Sequence, residues 1–465
     1  MDSLDGRRAP FVDSRSLLPR LGLADATLLV IGTIIGGGIF TTPGFVSGAL
    51  RDETLILVAW VLGGVIALAG ALSYAELGAT WPRAGGHYVY MRLAYGPFWG
   101  FLDGWAAVLI TFPGSIAALS LAFGAYLGQL LPGVNGSAPV FTLPHLGWNV
   151  TSGQIIAVAV ILILSAVNYV GVAAGAWVQN VVTAVKVLVF AAFVIVGACW
   201  IPAADGAVSP PSTGVWEWSV LGSALIAVMF TYFGWDSATY VASEVRQPGR
   251  NLPLAALWGT LAVMAIYLLL NLIFLRAVPI EQASGSVVVA DLAARRIFGP
   301  VASRAVTLAI IVSILGGLNG MILTGPRIAY AMARDGVFFR LAGNVHARHG
   351  TPSSAIWIQA GWSVLLALTG TFEALFTATG FVITILAGLT AVGVLVLRRK
   401  HPDVPRPYHA WGAPATPLVF AFAALWIGIS SAIENPVYSL GGAIVIASAW
   451  PAYRLWRRSA GKGGG

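Results

Sequence analysis

The chain has 465 residues, of which 58% are hydrophobic and 9% are Asp, Glu, Lys or Arg, against roughly 25% charged residues in a soluble domain. With a mean hydropathy of +0.83, this composition excludes a soluble enzyme, a disordered protein and a nucleic-acid binder. The formal net charge of +8 would suit a nucleic-acid partner only if the charges were gathered, and from Gly104 to Ala203 only Lys186 is charged. A crossing needs about 20 apolar residues, so that stretch alone holds several, and the sequence reads as an all-α polytopic membrane protein.

The chain opens with Arg7, Arg8, Arg15 and Arg20 ahead of an apolar run from Leu21. That run is too long for the core of a secretory signal and lacks a small-residue cleavage site after it, so the first segment is expected to stay in the membrane. Charge-poor runs bounded by charges, Pro or Gly predict twelve helices. They lie near 25–49, 54–80, 98–130, 153–172, 177–201, 219–246, 253–275, 304–333, 354–370, 373–397, 414–433 and 437–456. The fourth and fifth are split at Gly171 to Trp177; left joined, they would give eleven spans. Orientation favours the split. With twelve spans and both termini cytoplasmic, Arg51, Arg276, Arg295, Arg296 and Arg304 lie outside, Lys186 lies in the membrane, and the other twenty of the 26 Lys and Arg lie inside, as the positive-inside bias requires. Two outer segments, 131–152 and 202–218, read as Gly/Pro/Ser/Thr-rich loops. The stretch 280–298 reads as a short amphipathic helix, either lying at the interface or serving as an outer lid.

The first span contains Ile-Gly-Thr-Ile-Ile-Gly-Gly-Gly-Ile-Phe at 31–40. Each glycine costs about 1 kcal/mol relative to Ala in a helix interior, so Gly36, Gly37 and Gly38 together predict a break at mid-span. Unpaired backbone there is tolerated only in buried protein or beside a water-filled cavity. A half-helix starting near Gly38 turns free N–H groups toward the gap, which suits a carboxylate; one ending near Ile35 offers carbonyls, which suits an ammonium. The plain alternative is close helix packing through small residues. The sixth span has a weaker counterpart, Phe230-Thr231-Tyr232-Phe233-Gly234-Trp235-Asp236. An acid inside an apolar stretch is a functional candidate by default; Asp236 reads equally as a cap on the second half-helix. Interrupted first and sixth spans occupy equivalent places in two five-helix halves, the pointer to an inverted-repeat transporter that binds substrate at the midplane.

Lys186 lies ten residues into the fifth span, too deep to snorkel with ease. It reads as a fixed or protonatable cation at an ion site, or as a tether between helices. His87, His145, His346, His349, His401 and His409 all fall in predicted loops, no P-loop precedes a helix, and no ring of acids or repeated filter sequence is present. The one cysteine, Cys199, lies outside the outer loops, so no disulfide-linked partner is expected, and the chain calls for no cofactor and no metal.

Ile34 to Phe40 followed by Thr42-Pro-Gly44 resembles the first-helix motif of the amino acid–polyamine–organocation (APC) superfamily of permeases. So does Ala71 to Gly78 running through Pro82, Gly85-Gly86 and Tyr88-Val-Tyr90 to Ala94-Tyr-Gly-Pro97. Trp235 to Pro253, Arg334-Asp335-Gly336 and Arg406-Pro407-Tyr408 agree as well. The chain is most similar to L-type amino-acid transporters and their bacterial relatives. The resemblance implies a LeuT-like fold, a 5+5 inverted repeat (23–201 and 202–397) followed by two helices in 398–457, with cytoplasmic ends at 1–22 and 458–465. It also implies roles. Gly37 and Gly38 N–H groups would hold the substrate carboxylate. Carbonyls of Thr33 or Ile34, and of Phe230, Thr231 and Phe233, would hold the ammonium. With Gly36 and Gly234 at the two breaks, these residues make the substrate-binding set. Phe230 and Asp236 would gate it, and Lys186 near Ser313 would stand where sodium-coupled relatives keep a sodium ion. Phe233 replaces a usual Gly; facing the pocket it would favour small neutral substrates, and facing the scaffold it would not.

The expected function is a sodium-independent secondary active transporter of small or neutral L-amino acids in the cell (inner or plasma) membrane, working by exchange or by proton coupling. The alternatives are a cationic amino-acid or polyamine permease, with Asp236 reading the extra charge, and a non-transporting amino-acid sensor on the same fold. A membrane-embedded enzyme has no catalytic constellation to support it.

Overall fold

The computed structural model describes residues 21–82, 86–131, 139–143, 148–170, 193, 195, 217–240, 242, 245–346 and 351–462. The described chain is a helical bundle. Its first predicted span is interrupted: α1 (Leu23–Ile34) stops, α2 (Gly38–Thr41) restarts, and α3 (Pro43–Leu50) follows with Pro43 in its first turn. The helix α4 (Glu53–Thr80) starts where Asp52 accepts from the Leu55 N–H at 2.8 Å, a side-chain cap that satisfies one orphan donor. A short α5 (Gly86–Tyr95) leads into the third span, which is built from α6 (Pro97–Ala106), a π-helical turn (Ala107–Thr111) and α7 (Phe112–Leu130).

Beyond α8 (Ser152–Val170), α9 (Trp218–Tyr232) and α10 (Ser237–Tyr240) flank a second interruption. Next come α11 (Pro248–Ala277), the single turn α12 (Ile280–Ala283) and α13 (Val289–Arg334). The bundle ends with α14 (Ser353–Thr369), α15 (Phe372–Lys400), α16 (Ala415–Glu434) and α17 (Pro436–Lys462). Among the described residues, eight helical stretches are long and apolar enough to cross a membrane, and α9 and α14 are shorter apolar helices. The protein is thus a polytopic, essentially all-α membrane protein. The predicted fifth span, with Lys186, falls almost wholly outside the described residues; of it only Phe193 and Ile195 are described.

Two expectations change, at 131–152 and at His87, and the stretch 280–298 takes a definite place. The segment 131–152 contains a hairpin as well as loop: β1 (Pro139–Leu143) pairs antiparallel with β2 (Trp148–Thr151), where Val, Phe, Trp and Thr favour a pleated ribbon. The amphipathic stretch is folded onto the bundle. Val289, Ala290, Asp291, Ala293, Ala294 and Ile297 are buried, and the chain turns at Gly299 (φ 76°) into the rest of α13. Asp291 pairs with Arg295 at 2.6 Å, and Arg295 reaches Gln129 of α7 at 3.3 Å. His87, expected in a loop, lies on α5 and is buried.

Small residues let the helices close up. A Cβ on Gly259 would lie 2.7 Å from Val30, and one on Gly70 would lie 2.7 Å from the Phe420 ring, so α11 meets α1, and α16 meets α4, at nearly backbone distance. One ion cluster fastens α4 to α15. Arg398 donates to both oxygens of Glu76 (2.8 and 2.6 Å), the Ala410 N–H donates to the same carboxylate at 2.7 Å, and Arg406 lies 3.9 Å away. Glu76 is therefore buried with three hydrogen bonds and a second arginine beside it.

Candidate site between the two broken helices

At the first break, α1 ends at Ile34, Ile35 leaves helical geometry (ψ 82°), and the Gly36 N–H turns back to the Ile34 carbonyl at 2.7 Å. The chain resumes at Gly38. The N–H groups of Gly37, Gly38 and Ile39 make no hydrogen bond to any described residue, which is what the first turn of a helix leaves over. At the second break, α9 ends at Tyr232, Phe233 is extended (ψ 140°), and Gly234 takes φ 111°. That conformation is open to glycine and strained for any other residue.

The two breaks touch. A Cβ on Gly38 would sit 3.0 Å from the Thr231 Cα, and one on Gly234 would sit 2.9 Å from Thr33 Cγ2 and 3.1 Å from the Thr33 carbonyl. Gly37 faces Ile314 of α13 and Leu119 of α7, 2.9 and 3.0 Å from a would-be Cβ, whereas Gly36 has open space. Thr33, Ile34, Gly36, Gly37, Gly38, Thr231 and Gly234 are thus brought to one place.

Hydroxyls finish the junction. Thr42 and Thr231 share a hydrogen bond at 2.6 Å. Tyr267, fully buried on α11, donates between the Ile34 carbonyl at 2.8 Å and the Thr231 carbonyl at 3.3 Å. It is the group that joins the carbonyl ends of both half-helices, and sequence reasoning missed it. The available signal was a tyrosine in the middle of an apolar run, since a buried phenol seeks a partner for its hydroxyl.

Phe230 is buried, its ring 6.0 Å from Phe376, which in turn packs 5.2 Å from both Phe45 and Phe372. Phe233 lines a small crevice with Phe230, Trp235, Phe420 and the α15 residues Ile383 and Thr384. Ser313 is buried beside Ile314, and its hydroxyl has no hydrogen-bond partner among the described residues. Lys186 and Glu244 lie outside the described residues.

Asp236 is buried two residues past Gly234. The carboxylate is turned to His87, whose Nε2 lies 2.6 Å from Oδ2. Its partner is thus an imidazole on α5, at a position the sequence reads as loop. Tyr74 of α4 lies 3.3 Å from His87 Nδ1 and donates to the Ala387 carbonyl at 3.2 Å; Asp103 of α6 lies 3.9 Å from Nδ1. The helix α5 is outside the membrane-spanning candidates. Burial by itself would push the His87 imidazole down, but its hydrogen bond to Asp236 and the charges of Asp236 and Asp103 outweigh burial and hold it above the ordinary value.

An arrangement with free N–H groups on one half-helix, carbonyls at the ends of two others and an apolar surround fits a small zwitterion held by backbone. Comparison with known proteins agrees. The model of the family described as amino acid permease matches residues 21–446. The chain is 31% identical to the serine/threonine exchanger SteT of Bacillus subtilis (strain 168), over 94% of this chain and 96% of that protein. It is 30% identical to the large neutral amino acids transporter small subunit 2 of Rattus norvegicus, over 95% of this chain and 81% of that one. It is 29% identical to the Asc-type amino acid transporter 1 of Mus musculus, over 95% and 82%.

Proposed function

The chain belongs to the amino acid permease family and is an amino-acid transporter, and we propose that it moves small neutral L-amino acids without sodium, by exchange or proton coupling, through alternating access around the paired breaks. The observation that carries this reading is the crossing of two interrupted helices that leaves the Gly37 and Gly38 N–H groups without hydrogen-bond partners among the described residues. A substrate carboxylate accepts from those donors, at the positive end of the resumed helix. The ammonium lies against the carbonyls of Thr33, Ile34, Phe230, Thr231 and Phe233, with Tyr267 holding two of them in place. Gly36, where there is open space, gives the side chain room. The Phe230 ring, with Phe376, closes the outer path; Asp236 belongs to the opposite gate. To Lys186, which lies outside the described residues, we assign the role of a cation standing in for sodium; Ser313, whose buried hydroxyl has no partner among the described residues, is the other member of that site.

The layout we assign is twelve spans: two inverted five-helix repeats over 23–201 and 202–397, two further helices in 398–457, and both termini cytoplasmic in the cell membrane. Small neutral substrates are favoured over cationic ones because the Asp236 carboxylate is already engaged by His87 at 2.6 Å. The name of the Bacillus subtilis relative, a serine/threonine exchanger, points the same way.

The test is uptake of labelled serine by proteoliposomes loaded with unlabelled serine, competed by each of the twenty amino acids, agmatine and putrescine. Small neutral amino acids should compete, the two polyamine-like cations should not, and replacing sodium by choline should change nothing. Absence of uptake of any labelled amino acid under both a counter-substrate and a pH gradient sinks the reading.

A further inference from the structure

His87 is buried among groups whose geometry favours a bound proton. Nε2 faces the Asp236 carboxylate at 2.6 Å, an acceptor, so Nε2 carries a proton. Nδ1 faces the Tyr74 hydroxyl at 3.3 Å, which also lies 3.2 Å from the Ala387 carbonyl, and the Asp103 carboxylate at 3.9 Å. A second proton on the ring is therefore met by a carboxylate on each side, which favours the charged form.

The surroundings agree. Four groups face the ring: Tyr74 from α4, Asp103 from α6, Asp236 from the second break and Tyr240 from α10, stacked 6.2 Å away; Tyr90, on the same helix as His87, stands edge-on to Tyr74. Asp103 and Asp236 are buried, and neither has another cationic partner among the described residues. The contact also joins two separate pieces of chain. A Cβ on Gly86 would meet the Tyr240 ring at 2.2 Å, so the start of α5 lies against the Tyr240 ring of α10. Asp335, at the end of α13, holds the other face of α5 through Tyr88 at 2.8 Å and Arg92 at 3.6 Å.

We propose that His87 is a proton-binding site that latches the second limb of the broken sixth segment, through Asp236, onto α5, so that bound proton holds this end of the permease shut and proton release opens it. The inference rests on the transport reading above and adds to it the group through which protons act. When the limb carrying Asp236 swings away, His87 is left with water in place of its carboxylate. It then binds its proton less tightly, and linkage makes opening more favourable as pH rises. A tenfold difference in proton affinity between the shut and open forms shifts their ratio by at most tenfold across the titration.

The experiment is serine exchange in proteoliposomes at equal pH on both faces, from about pH 5.5 to about 8.5, the range in which a histidine titrates. Wild type should speed up as pH rises through the His87 midpoint. His87→Gln should lose that rise, and Asp103→Asn, which removes only the more distant carboxylate, should keep it with a midpoint about one pH unit lower. A purely structural role would lower the rate at every pH and leave the midpoint in place. A folded His87→Gln variant that keeps the wild-type profile overturns the latch. If that variant does not fold, the Asp103→Asn midpoint decides: a fall supports the latch and an unmoved midpoint overturns it.

Thermal unfolding of the same proteins in detergent separates this inference from the transport reading. A histidine held above its ordinary pKa of about 6.5 gives stability that is present below that value and lost as pH rises through the folded value. The melting temperature of wild type should therefore exceed that of His87→Gln at low pH and converge with it at high pH. If no amino acid is transported but the melting curves converge in this way, the transport reading fails and the proton site stands. If uptake is robust and the curves run parallel, the proton site fails alone.

Discussion

At the first break the chain leaves the helix at Ile35 and re-enters it at Gly38, and the described side chains that touch the gap are uncharged: Thr231, Tyr267, Ile314 and Leu119. At the second, the turn after Tyr232 runs directly into Asp236 and its histidine. Both interruptions leave backbone groups to be satisfied in a low-dielectric interior, yet one does so with hydroxyls and glycine contacts and the other places ionisable groups within two residues. On the proposed function, the first gap would hold substrate and the second would respond to protons, so the pair would divide substrate holding from gating along the chain.

That division can be broken most severely at Gly38. A methyl group there would sit 3.0 Å from the Thr231 Cα, and backbone cannot rotate out of the way, so Gly38→Ala forces the two breaks apart. Displacement by about 1 Å costs on the order of a hundredfold in a positioned site; exchange in proteoliposomes should fall by about that much, while Gly36→Ala, which meets open space, leaves the fold and melting temperature unchanged.

Tyr267→Phe comes next. It removes the hydroxyl that serves the Ile34 and Thr231 carbonyls, a loss of about 1 kcal/mol, and should raise the KM for serine roughly fivefold without altering the pH profile. A shifted profile would show that the two breaks are not independent. Smallest is Thr42→Val, since Thr231 keeps its bond to the Ala227 carbonyl at 2.9 Å. About a twofold change in exchange rate is expected, with no change in thermal stability beyond a few degrees.

The first break was legible in the sequence because three adjacent glycines disfavour a helix whatever surrounds them. The second was legible more faintly, from one glycine and an acid in an apolar run. The helices themselves follow from charge-poor stretches: α4 and α15 fall within three residues of the expected 54–80 and 373–397 at every end. What the residues did not disclose is the identity of long-range partners. His87 follows two glycines and precedes an alternating aromatic run, a pattern that reads as loop until α4, α6 and α10 close around it. Asp236 signalled that a buried acid needs a partner; sequence alone could not say that the partner lies 149 positions away. The helix ending at Arg334 starts after the kink at Gly299, close to the expected 304, and what the sequence did not disclose is that the amphipathic stretch before the kink packs back on α7, a tertiary contact with no local signature.

The Glu76–Arg398 contact has a mechanical corollary. Two parallel N–H···O bonds between planar groups resist torsion as well as extension, and here they fasten the C-terminal end of one long helix to the last turn of another. The helices α4 and α15 can tilt together at this end, but neither can spin about its own axis relative to the other without tearing both bonds at once. Motion that opens and closes the breaks is thereby restricted to rocking, with this joint acting as a splined coupling rather than a ball and socket.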